Sequence, residues 1–249
     1  MKRQPYVAGS FYPGSKEEIL SMFANFESSL AAKPLENVKA IIAPHAGYVY
    51  SGLVAMAAYK SASSFKDKDI TLMGPSHYYP FPDVVQGDFD SWVTPLGEIK
   101  SSPFPNIQVF NEALVPEHSL EVQIPFIQHV FSGVTIHPLL VGELQPNTLM
   151  KDYIDKVFKG LIVVSSDLSH YLPYDEAVYT DKKTIDKILK LDDFALQEGD
   201  ACGREPIKIL IHIARKRKWK PKLIMYKNSG DTAGPKSGVV GYSAIAFVG

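Results

Sequence analysis

The sequence predicts an α/β fold around a mostly parallel sheet, and one pattern occurring three times carries that prediction. Lys39-Ala40-Ile41-Ile42-Ala43 runs into Pro44-His45, Ile70-Thr71-Leu72-Met73 into Gly74-Pro75-Ser76-His77, and Leu161-Ile162-Val163-Val164 into Ser165-Ser166-Asp167-Leu168-Ser169-His170. Short apolar runs closed by Pro, Gly or Ser are the mark of strands buried on both faces. At the carboxyl edge of such a sheet the loops splay apart and leave a crevice for ligands. Parallel neighbours of this kind would gather three imidazoles at one rim.

The other elements follow in order. Residues 5–14, rich in Pro, Gly and aromatics, read as an ordered arm. Ser15-Lys16-Glu17-Glu18 reads as a capping box, and Ile19, Leu20, Phe23, Phe26 and Leu30 follow at helical spacing, with Pro34 beyond the end. Ser51 to Ala62 is small and apolar, as a helix packed closely on a sheet should be. The loop Tyr78-Tyr79-Pro80-Phe81-Pro82 cannot be helical and is placed to wall a pocket beside His77. Residues 84–101 suggest a hairpin. A helix opens near Pro116, with His118 and Glu121 on one face and Pro125 kinking or ending it. Residues 134–141 form a strand, 147–158 a helix, 176–191 an amphipathic helix and 192–201 an irregular link. Cys202-Gly203-Arg204-Glu205-Pro206 opens the last long helix, and residues 223–226 and 239–248 are the closing strands.

With 249 residues, 45% of them hydrophobic, and no internal repeat or linker, one domain over residues 1–249 is expected. A net charge of −1 argues for neither nucleic acid nor an anionic membrane as partner. The start shows no signal peptide, and no apolar run approaches a membrane span. Cys202 is the single cysteine, so no intrachain disulfide forms, and a reducing, cytoplasmic setting is expected.

His45, His77 and Cys202 are one candidate set, since imidazole and thiolate suit zinc, iron or copper, and three ligands with an open position make a catalytic type of site. The start of the following helix should favour the Cys202 thiolate. Asp167 and His170 form a second set, the aspartate orienting an acid/base imidazole. His118 with Glu121 is a third, as supporting residues. Each has a plainer reading as a rim hydrogen bond, helix cap or surface pair. His129, His137 and His212 read as structural. No serine lies in a Gly-x-Ser-x-Gly setting, so a thiol dyad is the more serious covalent alternative. The basic run 215–222 reads as a solvated helix end.

Ala43-Pro44-His45-Ala46-Gly47-Tyr48, Gly74-Pro75-Ser76-His77, Glu117-His118-Ser119-Leu120-Glu121-Val122-Gln123, Ser165-Ser166-Asp167-Leu168-Ser169-His170-Tyr171 and Ala201-Cys202-Gly203 together resemble the Memo family over nearly the whole chain. Gly9-Ser10-Phe11-Tyr12-Pro13, Ser229-Gly230-Asp231 and Gly241-Tyr242-Ser243-Ala244 agree. The resemblance implies an αβα sandwich similar to class III extradiol dioxygenases, which use non-haem iron(II). It implies that His45, His77 and Cys202 hold the metal, with Fe(II) first, copper second and zinc third, and that Asp167, His170 and His118 line the pocket. Animal members are tied to receptor-driven motility, phosphotyrosine-peptide binding and iron or copper chemistry. Microbial members, of the AmmeMemoRadiSam protein B type, are associated with a radical-SAM protein and a third small partner. The dioxygenases hold iron with two histidines and a carboxylate, whereas the third ligand here is the softer Cys202.

Three functions compete on these residues: a metal-dependent redox or dioxygenase-like protein acting on a small molecule, a binding or adaptor protein for an anionic peptide or partner protein, and a thiol hydrolase using Cys202 with His170.

Overall fold

The computed structural model describes residues 1–31, 33–145 and 158–249. In chain order its strands are β1 (Lys2–Arg3), β2 (Val38–Ala43), β3 (Asp69–Pro75), β4 (Val84–Gln86), β5 (Ser91–Thr94), β6 (Gly97–Ser101), β7 (Gln108–Val109), β8 (Thr135–Val141), β9 (Leu161–Ser165), β10 (His170–Leu172), β11 (Lys220–Asn228) and β12 (Val239–Val248). The helices are α1 (Lys16–Ser28), α2 (Tyr48–Ser61), α3 (Asn111–Leu114), α4 (His118–Glu121), α5 (Ile124–Val130), α6 (Tyr174–Leu189) and α7 (Arg204–Arg217).

Strands β6, β8, β3, β9 and β2 lie side by side and parallel, while β12 adds antiparallel to β2 and carries β11 and β10. Successive side chains of a strand point to opposite faces. Thus Ile41 and Val163 enter one apolar cluster with Ile19 and Phe23 of α1 and Val54 of α2. Ile42 and Val164 enter another with Ile207, Leu210 and Ile211 of α7. The unbroken apolar runs 40–43 of β2 and 161–164 of β9 are thereby explained: both sheet faces are covered, as the α/β expectation requires.

The register levels the carboxyl ends of the three central strands. Ala43 pairs with Ser165, and Met73 pairs with Val164. The residues that follow, His45, His77 and Asp167, therefore leave the sheet at one edge. Gly74, at the end of β3, has no room for a side chain, since a Cβ there would lie 2.6 Å from Ser119 Oγ. That close approach seats α4 directly on the strand that delivers His77.

Several boundaries differ from the sequence expectation. The helix expected from Pro116 is two short pieces, because Pro125 at the start of α5 breaks the run after α4. Asp167 and His170 do not share a turn, since His170 begins β10, paired with Val240. At α1 the Ser15 hydroxyl accepts from the Glu18 amide and donates to the Glu18 carboxylate at 2.6 Å, in place of the reciprocal box. The helix expected at 147–158 falls, apart from Phe158, outside the described residues.

Candidate metal centre

His45 follows β2, His77 follows β3, and Cys202 sits just ahead of α7. The structure brings them together: one ligand atom from each lies within 4.8 Å of the others, and Cys202 Sγ is 3.3 Å from His45 Nε2. Bond lengths of ~2.3 Å to sulfur and ~2.0–2.1 Å to nitrogen put two donors of one tetrahedral ion roughly 3.6 Å apart. The donor set and its spacing therefore fit a single transition ion.

Hydrogen bonds select which nitrogen each imidazole offers. Ser165 Oγ donates its one proton to the Ser119 carbonyl at 2.6 Å and accepts from Gln123 Nε2 at 2.8 Å. Its contact with His45 Nδ1 at 2.8 Å must then be a bond accepted from Nδ1–H, which leaves the Nε2 lone pair toward Cys202. His77 Nδ1 is bound to Glu117 Oε1 at 2.8 Å, which again leaves Nε2 as the free donor atom. A carboxylate behind a ligating histidine is a common orienting device at metal sites. Glu117 is fully buried and also accepts from the backbone N–H groups of His77 and Ser119. Burial pushes its carboxyl up, but these bonds outweigh it and bring it down to about 2.

Burial, together with the other charges of the cluster, lowers His45 to about 3, so its ring is neutral and able to ligate at ordinary pH. Burial opposes the expected preference of Cys202 for thiolate. Burial pushes the Cys202 thiol up, and the nearby Asp167 charge adds to this, overriding the start of a helix that begins two residues later. The Asp167 N–H nonetheless points at Sγ from 3.2 Å. Gly203 is required by contact: a Cβ there would meet Ser166 Cβ at 2.4 Å, and its N–H bonds Ser166 Oγ at 2.9 Å.

A cavity of about 540 Å³ opens over the two imidazoles, with His45, His77, His118, Asp167 and His170 among the residues lining it. Phe11, Tyr50, Tyr171 and Tyr242 form its aromatic walls. Two sequence pairings are corrected here. The described hydrogen bonds of the Asp167 carboxylate are from the His45 and Ala46 amides, not from His170, because the chain carries His170 away into β10. His118 does not work with Glu121: its Nδ1 lies 3.2 Å from the Tyr78 hydroxyl and 3.5 Å from Glu117, and its ring stacks on His77 at 4.4 Å. The imidazole hydrogen-bonded to the thiol is His45 rather than His170. The aromatic loop mostly walls a neighbouring cavity with Pro75, Ser76 and Cys202, and only Tyr78 turns to the histidines.

Sequence reasoning gave no role to Glu117, Ser119, Gln123 and Ser165, which orient both imidazoles. Three of them lie within the single stretch 117–123. His129 and His137 are held by Glu27 and by Asp69 with the Ser102 carbonyl, in keeping with structural roles.

The family model described as Memo-like protein matches residues 3–246. The chain is 34% identical to MEMO1 family proteins of Pyrobaculum aerophilum and Thermoplasma volcanium, with 98% of each chain covered. It is likewise 34% identical to a MEMO1 family protein of Archaeoglobus fulgidus, over 98% of this chain and 99% of that one.

Proposed function

The chain belongs to the Memo family, and on that footing we propose that it is a metal-dependent redox protein of dioxygenase-like design. His45 Nε2, His77 Nε2 and Cys202 Sγ would hold Fe(II), with copper the second choice and zinc the third, and a small molecule would occupy the cavity above. The observation that supports this most is the contact of Cys202 Sγ with His45 Nε2 at 3.3 Å while both imidazoles have Nδ1 already engaged. Two nitrogens and a sulfur suit a borderline-soft transition ion far better than magnesium or calcium. When bound, iron or copper would supply an open coordination position and one-electron chemistry, and zinc the open position alone.

The chain's own residues do the rest. Glu117 and Ser165 fix the two rings, and the aromatic walls exclude water and present a flat surface to a ligand. His118 and His170 face the cavity as proton-exchanging groups, His118 with Tyr78 at its far nitrogen. A phosphopeptide reading has no cation to rest on, since none of the described residues lining this cavity is Lys or Arg.

Metal analysis of protein purified without oxygen tests the proposal. Wild type should carry stoichiometric iron, and Cys202→Ser should carry little while keeping the wild-type circular dichroism. Equal metal content in the two proteins would overturn the assignment.

A further inference from the structure

The two histidines are oriented from one place, the short segment around α4. Glu117 holds His77, while the Ser119 carbonyl and Gln123 hold Ser165, which holds His45. A four-residue helix does not fix its own position, because too few backbone bonds offset the cost of ordering it. Something else must hold it, and the structure shows what does.

Arg3 is 2% exposed and lies with its guanidinium 4.4 Å from the Trp92 ring centroid. Its Nη2 donates to the carbonyls of Val115 at 2.8 Å and Glu117 at 3.2 Å, and its Nε to that of Leu114 at 3.4 Å. Its Nη1 donates to the Gln4 carbonyl at 3.1 Å and pairs with Glu121. Glu121 in turn accepts from the Tyr6 and Val7 amides and from the Tyr12 hydroxyl at 2.7 Å. Phe11 of the same arm packs on His118 with ring centroids 4.7 Å apart, and its carbonyl accepts from the Tyr48 amide at 2.8 Å, just beyond His45. The arm therefore touches the segments that carry His45 and His118.

We infer that Arg3 is a positioning residue of the metal centre: its planar fork grips both ends of α4, and through Glu117 it sets the angle of His77. The inference rests on the metal reading above but concerns a residue that touches neither metal nor ligand. Only a guanidinium has donors spread widely enough to reach the Glu121 carboxylate and the Val115 and Glu117 carbonyls together.

Arg3→Lys is the informative variant, since it leaves a cation opposite Glu121 while giving up the fork. Titration with Co(II) alone should show Arg3→Lys and Glu117→Gln each binding about 10–100-fold more weakly than wild type, the range for lost support of a ligating histidine. The double variant should bind no more weakly than Glu117→Gln, because both changes act through one residue. The thiolate-to-cobalt absorption band should persist at saturation, as His45 and Cys202 keep their own partners. Wild-type affinity in Arg3→Lys, or multiplying losses in the double variant, would overturn the inference. Should wild type take up no cobalt, the metal reading fails separately, and amide hydrogen exchange of the metal-free protein decides the rest. The His77 and Ser119 amides, both donors to Glu117, should then exchange faster in Arg3→Lys while β11 and β12 stay protected. Unchanged protection at those two amides would refute the link.

Discussion

Replacing Glu117 with glutamine should make the protein less stable at neutral pH and remove the part of its acid sensitivity that this carboxylate carries. The buried carboxylate accepts from the His77 ring, the His77 amide and the Ser119 amide. An amide side chain keeps one accepting oxygen but turns a donor toward a donor and removes the charge, at a cost of about 2–3 kcal/mol for a charge-assisted bond. The acid dependence has a definite sign. The folded-state carboxyl is lowered from its ordinary 4.5 to about 2, so the stabilisation is fully present above 4.5 and is lost as pH falls through 2. At 1.4 kcal/mol per pH unit the total is about 3 kcal/mol, of which about 2 kcal/mol is gone by pH 3. Urea unfolding of both proteins at pH 7 and pH 3, with unchanged slopes in denaturant, reads this directly. The gap between them should shrink by about 2 kcal/mol on acidification. A gap that stays constant, or a glutamine variant as stable as wild type at pH 7, would show that Glu117 does not carry the charge on which His77 is held.

Three further outcomes follow from the geometry. Because burial raises the Cys202 thiol while His45 is already neutral above about pH 3, metal uptake at pH 7–8 should release a proton from Cys202. Apparent affinity should then rise about tenfold per pH unit, a slope that calorimetry in two buffers would detect and that Cys202→Ser should abolish. Gly203→Ala drives a methyl to 2.4 Å from Ser166 Cβ and 2.8 Å from the Ser165 carbonyl, so it should cost about 1–3 kcal/mol in thermal unfolding and weaken metal binding as Cys202 shifts. Tyr171 is 80% exposed, lines the cavity, and holds φ at +58°, where only glycine is at ease. Tyr171→Gly should therefore leave stability unchanged or raise it by about 1 kcal/mol while weakening cavity ligands, and a clear loss of stability would contradict the strain.

The sheet was legible because burial on both faces leaves an unmistakable mark: Ile41 and Ile42 are both apolar although they point in opposite directions. The ends of those strands, and with them His45 and His77, could be placed from Pro44 and Pro75 alone. Orientation was not legible. Whether Asp167 turns to His170 or to the His45 amide depends on where β10 pairs, which is decided by Val240, seventy residues away in the chain. Glu117 looked like one more charge at a helix start, because nothing local shows that it is completely buried. The surroundings of the thiol were hidden for the same reason: the helix start is visible in sequence, and the burial that opposes it is not.

The closing strand β12 lies between β2, which delivers His45, and β11, so the strand bearing one ligand gains its neighbour on that side only from residues 239–248. Pairings so distant along the chain form slowly and late. Residues 38–43 therefore lack their partner on that side until residues 239–248 have been made. Removing residues 239–248 should leave the strand that leads to His45 open at its edge, so the turn carrying that histidine should lose its order although His45, His77 and Cys202 are all still present.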